Sequence, residues 1–330
     1  MSYSNRNLQS YNAQVSSTNH PRPNQCTSKW LLFCLSPLIL CAILMCNAAL
    51  AQQDMSKVEI RTTRLTDNVY MLTGRGGNIA VLTGDDGVFM IDDQFAPLSD
   101  KIINAIAEIS DKPVTYLLNT HWHGDHTGGN ENFGNSGAVI VSHDNVRKRL
   151  STKQTIKAFN RQVPAASAAA LPDITYASDA TFYFNNTTVQ LIHVENAHTD
   201  GDSLVYFTES NVLHMGDIFF NGFFPFIDQS SGGSLDGVIA ATDKALSLIN
   251  DNTQIIPGHG PMGDKKSLQE YRAMLLDVKN AMAPHINANK SRDDVIAAEP
   301  LKAIGSKWGN GFLKTDAFTG IVFDLETGGQ

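Results

Sequence analysis

Short apolar runs broken by glycine- and aspartate-rich turns follow one another from residue 68 onward, and this punctuation predicts the elements. Residues 68–73, 78–83 and 88–92 are β-rich runs separated by Gly74-Arg75-Gly76-Gly77 and Gly84-Asp85-Asp86-Gly87, the pattern of a strand meander. Residues 97–109 carry Ile102, Ile103, Ile106 and Ile109 at helical spacing, and 114–118 is an apolar run short enough for a buried strand. A strand is expected at 138–141, a charged amphipathic helix at 144–159 and a mobile Ala/Ser-rich connector at 163–170. Strands at 181–184, 189–194, 204–208 and 212–215 come next, then a helix at 235–249, a strand at 254–256 and a long helix at 265–283. The tail at 293–330, with Trp308, Phe312 and Phe318, reads as terminal helices packed on the body, part of an extension from about residue 284. Strands and helices thus recur in two halves of similar order with no low-complexity linker, which predicts two packed halves in one domain spanning residues 52–330.

The N-terminal 51 residues have a different pattern. Arg6, Arg22 and Lys29 precede an apolar run at 30–45 that only Ser36 and Pro37 interrupt, and Ala49-Leu50-Ala51 supplies a small-x-small cleavage signature. This is the organisation of a cleavable secretory signal, with Gln52 as the mature N-terminus and a periplasmic or secreted product. A retained anchor is the alternative, but the run sits at the lower length limit for a spanning helix. A lipid-modified Cys46 fits poorly behind Met45.

All four cysteines (Cys26, Cys34, Cys41, Cys46) fall in that segment, so the mature chain has neither disulfide nor thiol chemistry. The remaining residues carry 22 basic against 33 acidic side chains, a net charge of −11. A basic stripe for nucleic acid is absent, which leaves a small-molecule substrate as the expected partner and no membrane once the signal is removed.

Against this background Asn119-Thr120-His121-Trp122-His123-Gly124-Asp125-His126 stands out. Three imidazoles and a carboxylate within six residues are too dense for ordinary core or surface positions, and both groups suit zinc, iron or manganese. Chance would place three histidines at these offsets in about one chain in a hundred of this length and histidine content. Three further candidates lie where predicted strands end: His198 in Asn196-Ala197-His198-Thr199, Asp217 in His214-Met215-Gly216-Asp217, and His259 in Pro257-Gly258-His259-Gly260. Loops at strand ends carry chemistry on a rigid scaffold.

The ordered set HxHxDH, His, GD and PGHG, from about residue 68 to 261, resembles the metallo-β-lactamase superfamily of zinc hydrolases. The resemblance implies an α+β fold, a four-layer αββα sandwich with a dinuclear site at one edge. It implies that His121, His123 and His198 bind one metal, that Asp125, His126 and His259 bind the other, and that Asp217 bridges them. The cofactor would be two zinc ions per chain, other divalent metals being possible. Two such ions acidify a shared water, and the resulting hydroxide would attack a carbonyl carbon, with Asp125 orienting it and shuttling its proton. Asp92, Asp93 and Asp202 are candidates to orient the histidine rings.

Within the superfamily, the main subclass of true β-lactamases has Arg or Cys at the place of His126, Cys at that of Asp217 and Lys at that of Phe220. The present pattern is more similar to glyoxalase II, lactonases and related ester, thioester and phosphoester hydrolases. A hydrolase of a carbonyl compound is therefore expected. A true β-lactamase and a small-phosphoester hydrolase are the alternatives, and a di-iron redox or non-catalytic metal protein is the rival class. Flavodiiron reductases resemble the site but carry Glu where His123 stands, along with a flavin domain not visible here. Two readings stay open for the phenylalanines at 219, 220, 223, 224 and 226: packed core, or an apolar wall beside the metals. Trp122 is expected to pack, and His193 and His214 to hydrogen-bond in the core.

Overall fold

The computed structural model describes residues 54–328; the expected secretory segment lies outside the described residues. The meander appears as β1 (Arg61–Arg64), β2 (Val69–Thr73), β3 (Ile79–Leu82) and β4 (Val88–Ile91), all antiparallel. Helix α1 (Ser99–Ala107) then crosses to β5 (Val114–Asn119), parallel to β4. The short helices α2 (Gly124–Thr127) and α3 (Asn130–Asn135) lead to β6 (Val139–His143), and α4 (Asp144–Leu150) to a separate hairpin, β7 (Gln154–Ile156) and β8 (Arg161–Val163). Strand β9 (Ile174–Tyr176) closes a seven-stranded sheet in the order β1-β2-β3-β4-β5-β6-β9.

A second sheet holds β10 (Asp179–Phe184), β11 (Thr187–His193), β12 (Ser203–Phe207), β13 (Val212–His214) and β14 (Gln254–Ile256) in sequence order. Between its last two strands lies α5 (Leu235–Leu248), and after them α6 (Lys265–Asn287), α7 (Arg292–Ala297), α8 (Lys302–Trp308) and α9 (Thr315–Thr327). Ser234 caps α5 by accepting the Gly237 N–H, and Asp264 with Ser267 forms a capping box on α6.

Three apolar layers hold these elements together. Alternate residues of β3 point opposite ways: Ile79 and Val81 meet Ile102 and Ile106 of α1 and Phe133 of α3, while Ala80 and Leu82 face the second sheet. Between the sheets, Phe89, Ile91, Leu118 and Val141 meet Val189, Leu191, Val205 and Phe207. Outside the second sheet, Leu204, Leu213 and Ile255 pack on Val238, Leu275, Val278, Phe318 and Val322 of the helices. The result is the expected αββα sandwich, and strands covered on both faces are apolar throughout, as β3 and β4 are. Among the described residues no helix is long and apolar enough to cross a membrane.

The structure departs from the sequence reading at the predicted helix 144–159. It stops at Leu150 because the hydroxyls of Ser151 and Thr152 both donate to the Lys148 carbonyl. Ile156 then turns into the core, and Asn160, at φ 47°, lets the chain return as β8. The expected connector at 163–170 is also pinned rather than loose. Ala166 N–H donates to Leu150 O (2.8 Å), and Asn130 donates to Ala170 O (2.9 Å).

Phe89 of the first sheet lies fully buried with its ring 5.3–5.9 Å from Tyr116, Phe182 and Phe184, the last two on β10 of the second sheet. Phe89→Ala is expected to cost about 3–5 kcal/mol in urea unfolding. A loss under about 1 kcal/mol would show that this aromatic cluster does not hold the two sheets together.

Candidate metal centre

Five strand ends deliver the polar residues to one edge of the sandwich. The chain leaves β4 into Asp92, β5 into His121–His126, β11 towards His198, β13 into Asp217 and β14 into His259. All seven residues singled out from the sequence meet there. The ligating atoms of His121, His123, His198 and Asp217 lie within 4.8 Å of one another, and so do those of Asp125, His126 and His259.

Hydrogen bonding fixes which nitrogen of each ring carries its proton. His126 Nδ1–H donates to Asp92 Oδ2 (2.7 Å), His123 Nε2–H to Asp228 Oδ2 (3.0 Å), and His198 Nδ1–H to the Phe226 carbonyl (2.7 Å). The Thr120 hydroxyl donates to Asp92 Oδ2 (2.8 Å) and so accepts from His121 Nδ1–H (3.1 Å). His121, His123 and His198 are thereby each left with a lone pair directed inward, and His126 turns its Nε2 the same way. His123 Nδ1 and His198 Nε2 face each other at 2.8 Å, and His126 Nε2 stands 3.0 Å from Asp217 Oδ1 and 3.3 Å from His259 Nε2. Buried His121 Nε2 and Asp217 Oδ1 have no hydrogen-bond partner.

Acceptors facing acceptors at these distances repel unless a cation or proton lies between them. Asp217 divides its carboxylate between the groups. Oδ2 is 3.6 Å from His198 and 3.9 Å from His121, whereas Oδ1 is 3.0 Å from His126 and 3.3 Å from His259. These donors fit two divalent ions bridged by one carboxylate.

The two clusters differ in charge. Burial, reinforced by His126, holds His121 well below its ordinary value, and burial brings His198 down to about 4, so both are neutral at pH 7. Burial also opposes charge on His126 and His259, but Asp217 and its neighbouring carboxylates outweigh it. They hold His126 well above its ordinary value and His259 at about 9. The same rings keep Asp217 and Asp125 below the usual carboxylate range despite burial. The second cluster is also the more open: the side chains of His259 and Asp125 are 23% and 31% exposed, against 6% or less for the first.

Of the residues expected to orient the rings, Asp92 does so for two at once. Asp93 and Asp202 do not touch them. Asp93 accepts the Gly129 N–H (2.8 Å), and Asp202 closes a turn by accepting from Thr199 N (2.7 Å) and Oγ1 (2.5 Å), which fixes the segment after His198. Burial pushes Asp202 up to about 8. The sequence reading missed Asp228, which lies in an irregular loop after Phe226 and Ile227. Its only local signal is the following Ser230-Ser231, whose hydroxyls both donate to it. Two glycines were also passed over. A Cβ on Gly77 would overlap the His126 ring, and one on Gly258 would overlap Asp217 Oδ1. Trp122 packs as expected, its Nε1–H donating to Ser231 (3.0 Å), and His214 donates to Asn78 O (2.9 Å). Phe219 and Phe224 belong to the core, while Phe220 stacks on His259 (5.2 Å) and Phe226 lies 5.9 Å from His123.

Residues 72–279 match the family described as the metallo-beta-lactamase superfamily. Among curated relatives, a hydroxyacylglutathione hydrolase of Polaromonas sp. strain JS666 is 27% identical over 169 residues, 49% of this chain and 55% of its own length. The chain thus spans about half of that relative. A metallo-beta-lactamase type 2 of Bacteroides fragilis is 20% identical over 252 residues, 72% of this chain and 94% of the relative. Among solved structures, a metallo-beta-lactamase from Pontibacter korlensis superposes with a TM-score of 0.55 at 19% identity, covering 66% of this chain and all of that one.

Two outcomes follow from this geometry. Asp228→Ala should weaken ion binding at the first cluster about 10- to 100-fold, and Asp92→Ala should weaken both clusters, each read by competition with a chromogenic chelator. Unchanged affinity in Asp92→Ala would refute its orienting role. An ion taking His259 Nε2 must also displace a proton held up to about pH 9, whereas His121 and His198 have none to release at pH 7. Affinity for the second ion should therefore rise about tenfold per pH unit for each proton displaced between pH 6.5 and 9, then level off, while affinity for the first stays nearly flat.

Proposed function

The chain belongs to the metallo-β-lactamase superfamily, and from that premise we propose that it is a dinuclear zinc hydrolase of small carbonyl compounds. Esters, lactones and thioesters are the leading substrates. The observation that carries this reading is the Asp217 carboxylate, which turns one oxygen to each of two inward-facing imidazole groups. The bound ions would supply Lewis acidity and a water whose pKa is lowered to about 7.

The residues of the chain do the rest. His121, His123 and His198 hold the buried side, and the neutral state of His121 and His198 at pH 7 keeps it ready for an ion. His126 and His259 hold the open side. Asp125 turns Oδ2 to His259 (3.3 Å) and stays ionised, leaving Oδ1 to take the proton of the attacking water and return it to the leaving group. Phe220 occupies the place where a β-lactamase would carry a cation for the antibiotic carboxylate. It is buried and stacked on His259, which disfavours β-lactams. The proposal includes cleavage after Ala51 and action outside the cytoplasm, so a glutathione thioester is a less natural substrate than an ester or lactone.

A panel on the zinc-loaded protein tests this: aryl esters, an acyl-homoserine lactone, a glutathione thioester, a chromogenic cephalosporin and a bis-aryl phosphate. Ester, lactone or thioester turnover should lead the panel. Asp217→Ala should lower it by at least about a hundredfold and reduce bound zinc below two per chain. Near-normal turnover in Asp217→Ala would overturn the assignment.

A further inference from the structure

A track of phenylalanine rings leads outward from the buried metal cluster, built from three segments remote in sequence. Phe226 lies 5.9 Å from the His123 ring and 5.8 Å from His198. Phe159, at the tip of the β7–β8 hairpin, packs on Phe226 at 4.7 Å, and Phe312, between α8 and α9, packs on Phe159 at 5.6 Å. The inner ring is buried, but Phe159 is 41% and Phe312 70% exposed. Neither position is loose. The hairpin is tied to the metal-side loop by Lys157 N–H donating to Ser230 Oγ (3.2 Å), and Ser230 in turn bonds Asp228. The segment bearing Phe312 is anchored by Phe224 N–H donating to Trp308 O (3.0 Å) and by Gly311 against Phe223.

Two exposed rings, fixed next to a catalytic edge and continuous with a buried one, leave apolar surface in water that a ligand can cover. The opposite side of the site, at Asp125 and His259, is polar and open, and suits the departing group. We propose that Phe226, Phe159 and Phe312 form an acyl-binding subsite, selecting substrates whose carbonyl carries an aromatic ring or an unbranched chain of about six or more carbons. This deepens the hydrolase reading and rests on it.

The test is an acyl series (acetyl, butanoyl, hexanoyl, octanoyl, phenylacetyl) on one small hydrophilic thiol, with the zinc-loaded full chain. kcat/KM should rise about threefold per methylene from butanoyl to octanoyl, the gain of burying a methylene only partly. Phe159→Ala and Phe312→Ala should each cut the octanoyl-to-butanoyl ratio by about tenfold, with metal content and melting temperature as checks on folding. Tyr183→Ala, an exposed aromatic on β10, should leave the series unchanged. Binding of acetate, hexanoate, octanoate and phenylacetate, read by calorimetry on the same proteins, should tighten in the same order. A flat series, or one that both phenylalanine variants leave intact, overturns the subsite. If nothing in the series is turned over, the ester and lactone panel decides the hydrolase reading separately, and the binding of the free acids alone upholds or overturns the subsite by the same criteria.

Discussion

Lone pairs forced together are the constraint on which the rest of this structure depends. His123 Nδ1 and His198 Nε2 sit 2.8 Å apart, each ring having already given its proton to a partner behind it. Such contacts are unfavourable in isolation, so the surrounding scaffold must hold them in place. Asp92 anchors one ring directly and another through the Thr120 hydroxyl, and its own backbone is held in the left-handed region at φ 62°. A non-glycine residue in that conformation carries strain that the neighbouring sheet must absorb.

The layers explain how the scaffold does so. The candidate ligands follow the ends of β5, β11, β13 and β14, which carry buried residues packed in the core, so the loops begin from backbone that cannot shift without opening it. The glycines at 77 and 258 matter for the opposite reason: at those places backbone must come so close to His126 and Asp217 that no side chain fits. Rigid strands and bare backbone together bring seven polar groups to a spacing that side chains alone would relax.

Much of this was legible in the sequence, for identifiable reasons. His121, His123, Asp125 and His126 fall within six residues, strand periodicity placed His198, Asp217 and His259 at strand ends, and the family resemblance implied that these ends share one edge. Asp92 was legible as an acid closing β4. Asp93 and Asp202 resemble it in sequence, but Asp93 accepts the Gly129 N–H and Asp202 closes its own turn with Thr199, a distinction that depends on side-chain direction rather than position. Asp228 was hidden because no periodic element precedes it. The helix expected to run to residue 159 failed on two hydroxyls, Ser151 and Thr152, whose competition for a backbone carbonyl outweighed an amphipathic pattern. The hairpin that replaced it carries Phe159, so that local error also concealed the outer wall of the site. Of the five phenylalanines at 219–226, pattern alone could not separate the two that serve the core wholly, Phe219 and Phe224, from Phe226 beside the histidines.

The two clusters share Asp217 yet are not equivalent, and burial is what separates them. Around His121 and His198 burial dominates and the rings stay neutral. Around His126 and His259 three carboxylates dominate and the rings hold protons into the alkaline range. At neutral pH an ion would therefore meet no proton on His121 or His198, and its charge would lower the proton affinity of the outer rings across the shared carboxylate. Occupancy of the inner side would thus prepare the outer one. The outer side, more exposed and flanked by Asp125, is where exchange with solvent and proton transfer can take place without disturbing the buried ligands.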